Sequence, residues 1–239
     1  MRHFGLIGYP LGHSLSAELF NTKFLREAID AEYSLYAIEQ IEQVEEIFKR
    51  VEGLNVTIPY KKAIIPYLDN VSDEALNVGA VNCVRITADG TRIGYNTDVI
   101  GIRQTLSKYD LTNSKALILG TGGAAAAVKW VLQQWNIEFD TVSRTAGNGS
   151  LTYEQLTNEK IKEYRLIVNA TPIGMHPNTE QAPKLPYEAI GEQHILFDLI
   201  YNPKETLMLQ CGKQRGAEII NGMEMFEAQA AAAWEIWNA

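Results

Sequence analysis

Two groups of residues in this 239-residue chain have types and spacing able to do chemistry. The first is Ala116-Leu-Ile-Leu-Gly-Thr-Gly-Gly-Ala-Ala-Ala-Ala127, an apolar run, a glycine turn and a helix-forming run in direct succession. A strand that turns tightly into a helix leaves the first helix amides free to bind phosphate. Gly120 permits the turn, Gly122 and Gly123 let a diphosphate approach bare backbone, and Ala124 onward keeps the helix close to its sheet. The second group is dispersed: Asn55, Thr57 and Lys61, then Asn82, then Asn96-Thr97-Asp98. Asx residues at strand ends are ordinarily turn-formers. Two sets of them converging on a lysine suggest polar contacts to a small molecule. Ser14 and Ser16 add two hydroxyls at a helix start, where they either cap the helix or, beside free amides, hold a carboxylate.

The elements that must position these groups follow from periodicity. Phe4 to Gly8 reads as a buried strand, Ala17 to Ala28 as an amphipathic helix, Tyr33 to Ile38 as a strand, Val44 to Val51 as a helix, and Gly53 onward as a strand stopped by Pro59. That order implies a mostly parallel sheet, with Asn55, Thr57 and Lys61 about a C-terminal strand end, where open α/β sheets bind ligands. Lys61 and Lys62 at a helix start would oppose the helix dipole, which favours a functional reason for one of them. After an acidic helix over Ser72 to Asn77, Asp89-Gly90 between alternating segments predicts a hairpin whose two ends carry Asn82 and Asn96 to Asp98. Gly101 suggests a close backbone approach within a helix from Val99 to Lys108. Beyond the glycine turn, Phe139 to Val142, Leu166 to Asn169, Ile195 to Asp198 and Glu218 to Ile220 read as further strands, and Met223 to Trp237 as a packed final helix.

The strand after the turn ends in Ser143-Arg144-Thr145, with Asp140 inside the strand rather than at its tip. An acid at the tip would suit the ribose 2′-hydroxyl of NAD; a basic and hydroxylic tip suits the 2′-phosphate of NADP. NADP is therefore the expected cofactor.

Composition bounds the rest. A net charge of -8 argues against a nucleic-acid surface, which needs clustered Lys and Arg. Cys83 and Cys211 are isolated, so neither a disulfide framework nor a metal site is expected, and reducing cytoplasm fits. No apolar run is long enough for a signal or a membrane span. The expected partner is a small-molecule substrate, with no nucleic acid and no membrane, and a monomer or homodimer.

The chain resembles the shikimate dehydrogenases. The match runs in order through Ser14-Leu-Ser16, Asn55-Val-Thr-Ile-Pro-Tyr-Lys61, Gly79-Ala-Val-Asn82, Asn96-Thr-Asp98, Gly120-Thr-Gly-Gly123, Ser143-Arg-Thr145, Asn169-Ala-Thr-Pro-Ile-Gly-Met175, Asp198-Leu-Ile-Tyr-Asn-Pro203 and Gln229. The resemblance implies two α/β domains around a cleft: a substrate-binding domain at 1–98, a Rossmann-like, doubly wound NADP domain at 99–221, and a helix at 222–239 packing back on the first. It implies NADP-linked interconversion of shikimate and 3-dehydroshikimate in aromatic amino-acid biosynthesis. By the same resemblance Ser14 and Ser16 hold the substrate carboxylate, with Tyr201 near it, while Thr57, Lys61, Asn82, Asp98 and Gln229 contact ring hydroxyls. The implied cofactor contacts are Gly120, Thr121, Gly122, Gly123, Ala124, Ser143, Arg144, Thr145, Thr171, Ile200 and Gly222. The chain departs from the family pattern at Ala17, usually proline, at Phe20, often histidine, and after Thr145, where Ala146 to Ser150 lack a second basic residue.

Oxidising a secondary alcohol needs hydride transfer and loss of the hydroxyl proton, and no zinc ligands are present to acidify that hydroxyl. Lys61 and Asp98 are then the catalytic residues. A lysine of ordinary pKa, about 10.4, is a poor base at neutral pH, and a neighbouring carboxylate makes it poorer. Lys61 would act as a cation stabilising alkoxide, with Asp98 or the coupled pair passing the proton. Two rivals stand beside this reading: an enzyme of the same superfamily preferring quinate, and a dinucleotide-binding regulator that has lost catalysis.

Overall fold

The first hundred residues form a mixed sheet, seen in a computed structural model that describes every residue except His13, Ala146 and Asn148. The chain divides into two compact units, Met1–Thr97 with Gln229–Ala239, and Asp98–Ala228. In the first unit β1 (Arg2–Gly8), α1 (Leu15–Arg26), β2 (Ala31–Ala37), α2 (Val44–Phe48), β3 (Gly53–Val56), β4 (Asn70–Val71), α3 (Asp73–Val78), β5 (Cys83–Ile86) and β6 (Arg92–Tyr95) follow in order. Among the described residues they form a six-stranded sheet in the order β2-β1-β3-β5-β6-β4. β1 runs parallel to β2 and β3, whereas β5 is antiparallel to both β3 and β6. The Asp89-Gly90 turn closes the β5–β6 hairpin, and Gly90 has φ 88°, a conformation glycine adopts at no steric cost.

The second unit holds α4 (Asp98–Leu106), β7 (Lys115–Leu119), α5 (Gly123–Gln134), β8 (Glu138–Ser143), β9 (Leu151–Thr152), α6 (Asn158–Ile161), β10 (Leu166–Asn169), β11 (Ile195–Asp198), α7 (Leu207–Lys213) and β12 (Glu218–Ile220). Its sheet, in the order β12-β11-β10-β7-β8-β9, is parallel throughout. The chain leaves β7 toward β8 on one side and later returns to β10 on the other. β7 is therefore the strand where the winding reverses, the place at which such sheets bind ligands. α8 (Met223–Trp237) begins in this unit and ends in the first.

Burial explains the near-continuous apolar runs. Leu117, Leu119, Ile167 and Leu196 are fully buried in the second unit, as expected of parallel strands covered on both faces. In the first unit Trp237 stacks on Phe4 at 4.9 Å and lies 5.2 Å from Phe20, while its indole N–H donates to the Val84 carbonyl. A Cβ on Gly53 would stand 2.4 Å from Trp237, so glycine is required beneath that ring. Truncating a tryptophan so enclosed costs about 3 to 5 kcal/mol. No helix among the described residues is long and apolar enough to cross a membrane.

Two sequence expectations are corrected here. The helix expected through Val51 ends at Phe48, after a 3-10 turn at Ile41–Gln43. No α-helix starts at Lys61: this segment is a succession of turns leading to a short 3-10 helix at Ile65–Tyr67. No helix dipole therefore opposes Lys61 and Lys62, because a chain that winds for so few residues accumulates none.

Candidate active site

In the first unit the candidate residues gather where β3 ends and the β5–β6 hairpin opens. Val56 N–H donates to the Asn82 carbonyl at 2.9 Å, and Val81 N–H to the Lys61 carbonyl at 2.7 Å. Thr57 follows directly, its own N–H bonded to Ile7 of β1 at 2.9 Å. Asn55, which is buried, accepts from the Tyr33 hydroxyl at 2.8 Å and donates to the Asn82 carbonyl at 3.3 Å. A Cβ on Gly8 would lie 2.5 Å from the Thr57 methyl, so that glycine makes room for Thr57.

The Asn82 side chain clamps Thr97. Its Oδ1 accepts the Thr97 N–H at 2.7 Å and its Nδ2 donates to Thr97 Oγ1 at 3.0 Å. Thr97 Oγ1 in turn lies 3.3 Å from Gln229 Oε1, to which it donates. Gln229 is half-buried and tied into this chain. Thr97 is fully buried and immediately precedes Asp98, itself 5% exposed and the first residue of α4. Thr97 carries a structural task that its motif does not announce; its one sequence signal is a hydroxyl between two Asx residues at a strand end.

Ser14 is the N-cap of α1, its Oγ accepting the Ser16 N–H at 3.2 Å. Ser16 lies in the first turn and is 8% exposed. β1 and β3 are parallel, so the loop that carries these serines leaves the same sheet edge as Thr57 and Lys61.

In the second unit, the candidates stand at the C-terminal ends of neighbouring parallel strands: Gly120, Thr121, Gly122, Gly123 and Ala124 after β7, Ser143, Arg144 and Thr145 at the tip of β8, Thr171 after β10, Ile200 and Tyr201 after β11, and Gly222 after β12. Gly120 has φ 110° and a Cβ there would lie 3.1 Å from both the Ala170 carbonyl and the Thr171 methyl. Gly122 is different. It caps α5 at φ -77°, and a Cβ on it meets no protein atom within 4 Å, so nothing in the fold demands glycine there. A bare backbone that the fold does not require, at the start of a 12-residue helix, fits a bound diphosphate.

Asp140 is held inside β8 by Lys115 at 2.8 Å and the Tyr164 hydroxyl at 2.6 Å, so it does not offer a carboxylate at the strand tip. Arg144 and Thr145 are exposed just beyond. The expectation that Ala146 to Ser150 supply no second cation falls partly on Ala146 and Asn148, outside the described residues. Gly101 meets the close approach expected of it: a Cβ would stand 2.4 Å from the Met225 carbonyl. Tyr201 packs against Phe226, ring centroids 4.8 Å apart, and burial raises its pKa. No three His, Cys, Asp or Glu side chains gather as a metal site among the described residues.

Comparison with known proteins identifies the family. Residues 6–84 match the shikimate dehydrogenase substrate binding domain. A shikimate dehydrogenase (NADP(+)) of Shouchella clausii is 38% identical, the match covering 99% of this chain and 93% of that one. The chain belongs to the shikimate dehydrogenase family. Among solved members, shikimate dehydrogenase 1 from Peptoclostridium difficile superposes with a TM-score of 0.89 at 35% identity, covering 100% of this chain and 92% of that one. The family enzyme from Thermus thermophilus, solved with NADP(H) and shikimate, gives 0.86 at 30% identity over 99% of this chain and 93% of its own.

Proposed function

We propose that this chain catalyses the reversible, NADP-linked interconversion of shikimate and 3-dehydroshikimate, a step of aromatic amino-acid biosynthesis. The observation that carries the reading is the polar chain Asn82–Thr97–Gln229 at the strand ends that also bear Thr57 and Lys61. Those groups match the several hydroxyls of such a ring. The near full-length likeness to enzymes named for this reaction supports it.

In this reading Ser14 and Ser16 hold the substrate carboxylate, with Tyr201 near it, while Thr57, Asn82 and Gln229 orient the ring hydroxyls. Asn82 Oδ1 accepts the Thr97 N–H and Asn82 Nδ2 donates to the Thr97 hydroxyl, whose own proton is shared between Asn82 Oδ1 at 3.2 Å and Gln229 Oε1 at 3.3 Å. Bound NADP would supply the hydride acceptor, or in reverse the donor, that the reaction needs. Lys61 and Asp98 share the proton: the ammonium stabilises negative charge developing on oxygen, and the carboxylate, or the pair, takes the proton from the reacting hydroxyl. Backbone amides after Gly122 would receive the diphosphate and Arg144 the 2′-phosphate.

The test is the near-ultraviolet absorbance of reduced nicotinamide, followed with shikimate or quinate against NADP or NAD. The expected result is rapid reduction with shikimate and NADP and slower reduction in the other combinations. A faster rate with quinate would move the assignment to quinate, and no change in any combination would overturn the reading in favour of a non-catalytic binder.

A further inference from the structure

A buried carboxyl that the mechanism does not use lies behind the cofactor-side loops of the second unit. Asp198, at the end of β11, is fully buried. Its Oδ1 accepts from Ile200 N–H at 3.1 Å and from Asn169 Nδ2 at 3.1 Å, and its Oδ2 from the Thr206 hydroxyl at 2.7 Å. Asn169, equally buried at the end of β10, gives the rest of its hydrogen-bonding capacity to the next loop. Its Oδ1 accepts from Thr171 N–H at 3.1 Å and from the Thr171 hydroxyl at 2.6 Å, while its second amide proton goes to the Ile173 carbonyl at 3.2 Å. Ile200, held by Asp198 through its N–H, accepts from Gly222 N–H at 3.0 Å. Thr171, Ile200 and Gly222 are three of the candidate cofactor contacts, and they stand on three different loops.

We infer that Asp198, acting through Asn169, is a positioning residue for the cofactor: one carboxylate oxygen sets the loops after β10 and β11 against each other and thereby the nicotinamide-nucleotide contacts they carry. This rests on the NADP reading above. The two oxygens have different tasks. Oδ1 serves the loops, whereas Oδ2 receives Thr206, the N-cap of α7. Burial pushes the Asp198 pKa up to about 6, so at neutral pH the group is ionised and is held so by its three donors.

The experiment is a titration of the intact protein with NADPH, read by its fluorescence, with shikimate affinity and thermal midpoint measured alongside. Asp198→Ala and Asn169→Ala should each weaken NADPH binding by roughly tenfold or more, the loss of a buried charge-assisted or amide tie, and leave shikimate affinity within about twofold. Asp198→Asn, which keeps an oxygen for Ile200 and Asn169, should restore binding to within about threefold of wild type. Thr206→Val should lower the thermal midpoint and leave NADPH affinity unchanged. If Asp198→Ala does not fold, Asn169→Ala reads the same tie. Normal NADPH binding by Asn169→Ala, or a loss in Thr206→Val equal to that in Asn169→Ala, would overturn the inference alone. Failure of the wild type to bind NADPH would overturn both it and the cofactor reading.

Discussion

The two units prepare for ligands by different means. In the first, the sheet is mixed, and the strand ends are knit by neutral side chains: Asn55 to the Asn82 carbonyl, Asn82 to Thr97, Thr97 to Gln229. In the second the sheet is wholly parallel, and glycines with backbone groups occupy the corresponding ends, with one ionisable residue, Asp198, in the network that ties its loops. A ring bearing several hydroxyls is read by directional side chains whose donors and acceptors are fixed by one another. A diphosphate is read by amides that need only be left bare. The difference teaches that the first unit spends its specificity in side-chain order and the second in loop geometry. Substitutions should therefore fail differently in the two.

The sharpest test of that contrast concerns chemistry rather than binding. Lys61→Ala should lower turnover by roughly 10² to 10⁴ with a far smaller change in the shikimate Michaelis constant, since its contact strengthens as charge develops on oxygen. Asp98→Asn should behave similarly, and the double variant should be barely worse than the poorer single one. Multiplicative losses in steady-state assays would separate the two residues into independent tasks.

Next in size is the acid response of the ionisable network. The folded pKa of Asp198 is raised from 3.8 to about 6 by burial, so the folded protein binds that proton more tightly than the unfolded chain. Its contribution to stability is full below about pH 4 and is lost as pH rises through about 6. The stability of wild type relative to Asp198→Asn should therefore fall by about 2 to 3 kcal/mol between those limits, measured by denaturant titration at each pH. A flat difference would show that the carboxyl titrates normally. Variants of the neutral Asn82 network should show no such dependence.

Arg144→Ala should raise the NADP Michaelis constant by roughly tenfold to a hundredfold and leave that for NAD nearly unchanged, as loss of a charge-assisted contact worth about 1.5 to 3 kcal/mol requires. Equal losses with both cofactors would assign Arg144 to the fold.

Gly122→Ala and Gly120→Ala divide ligand demand from fold demand. Gly122→Ala should leave the thermal midpoint almost unchanged and weaken NADPH binding by about tenfold, since the new methyl meets no protein atom. Gly120→Ala should also lower stability by about 1 kcal/mol or more, because φ 110° disfavours any Cβ. Identical stability losses would remove the argument for a bare backbone at Gly122.

The smallest difference separates the serines. Ser14→Ala and Ser16→Ala should each raise the shikimate Michaelis constant by about tenfold. Ser14→Ala alone should also cost about 1 kcal/mol of stability, as the N-cap of α1. Stability losses without any change in shikimate affinity would leave Ser14 a cap and nothing more.

Much of this protein is determined by sequence alone. Short apolar runs bounded by turn residues mark the buried strands, because a strand covered on both faces is apolar on both, and the span Met223–Trp237 is bounded as its apolar spacing predicts. The glycine turn is legible because only glycine adopts the backbone that Gly120 needs. The basic tip at Arg144 is legible because charge type survives without geometry. Tertiary structure alone decided the rest. That Lys61 sits among turns, that Gln229 is held by Thr97, and that Asp198 reaches Asn169, 29 positions away, depend on long-range hydrogen bonds. No local pattern encodes such bonds, since a buried polar group takes whichever partner the packed chain places within reach.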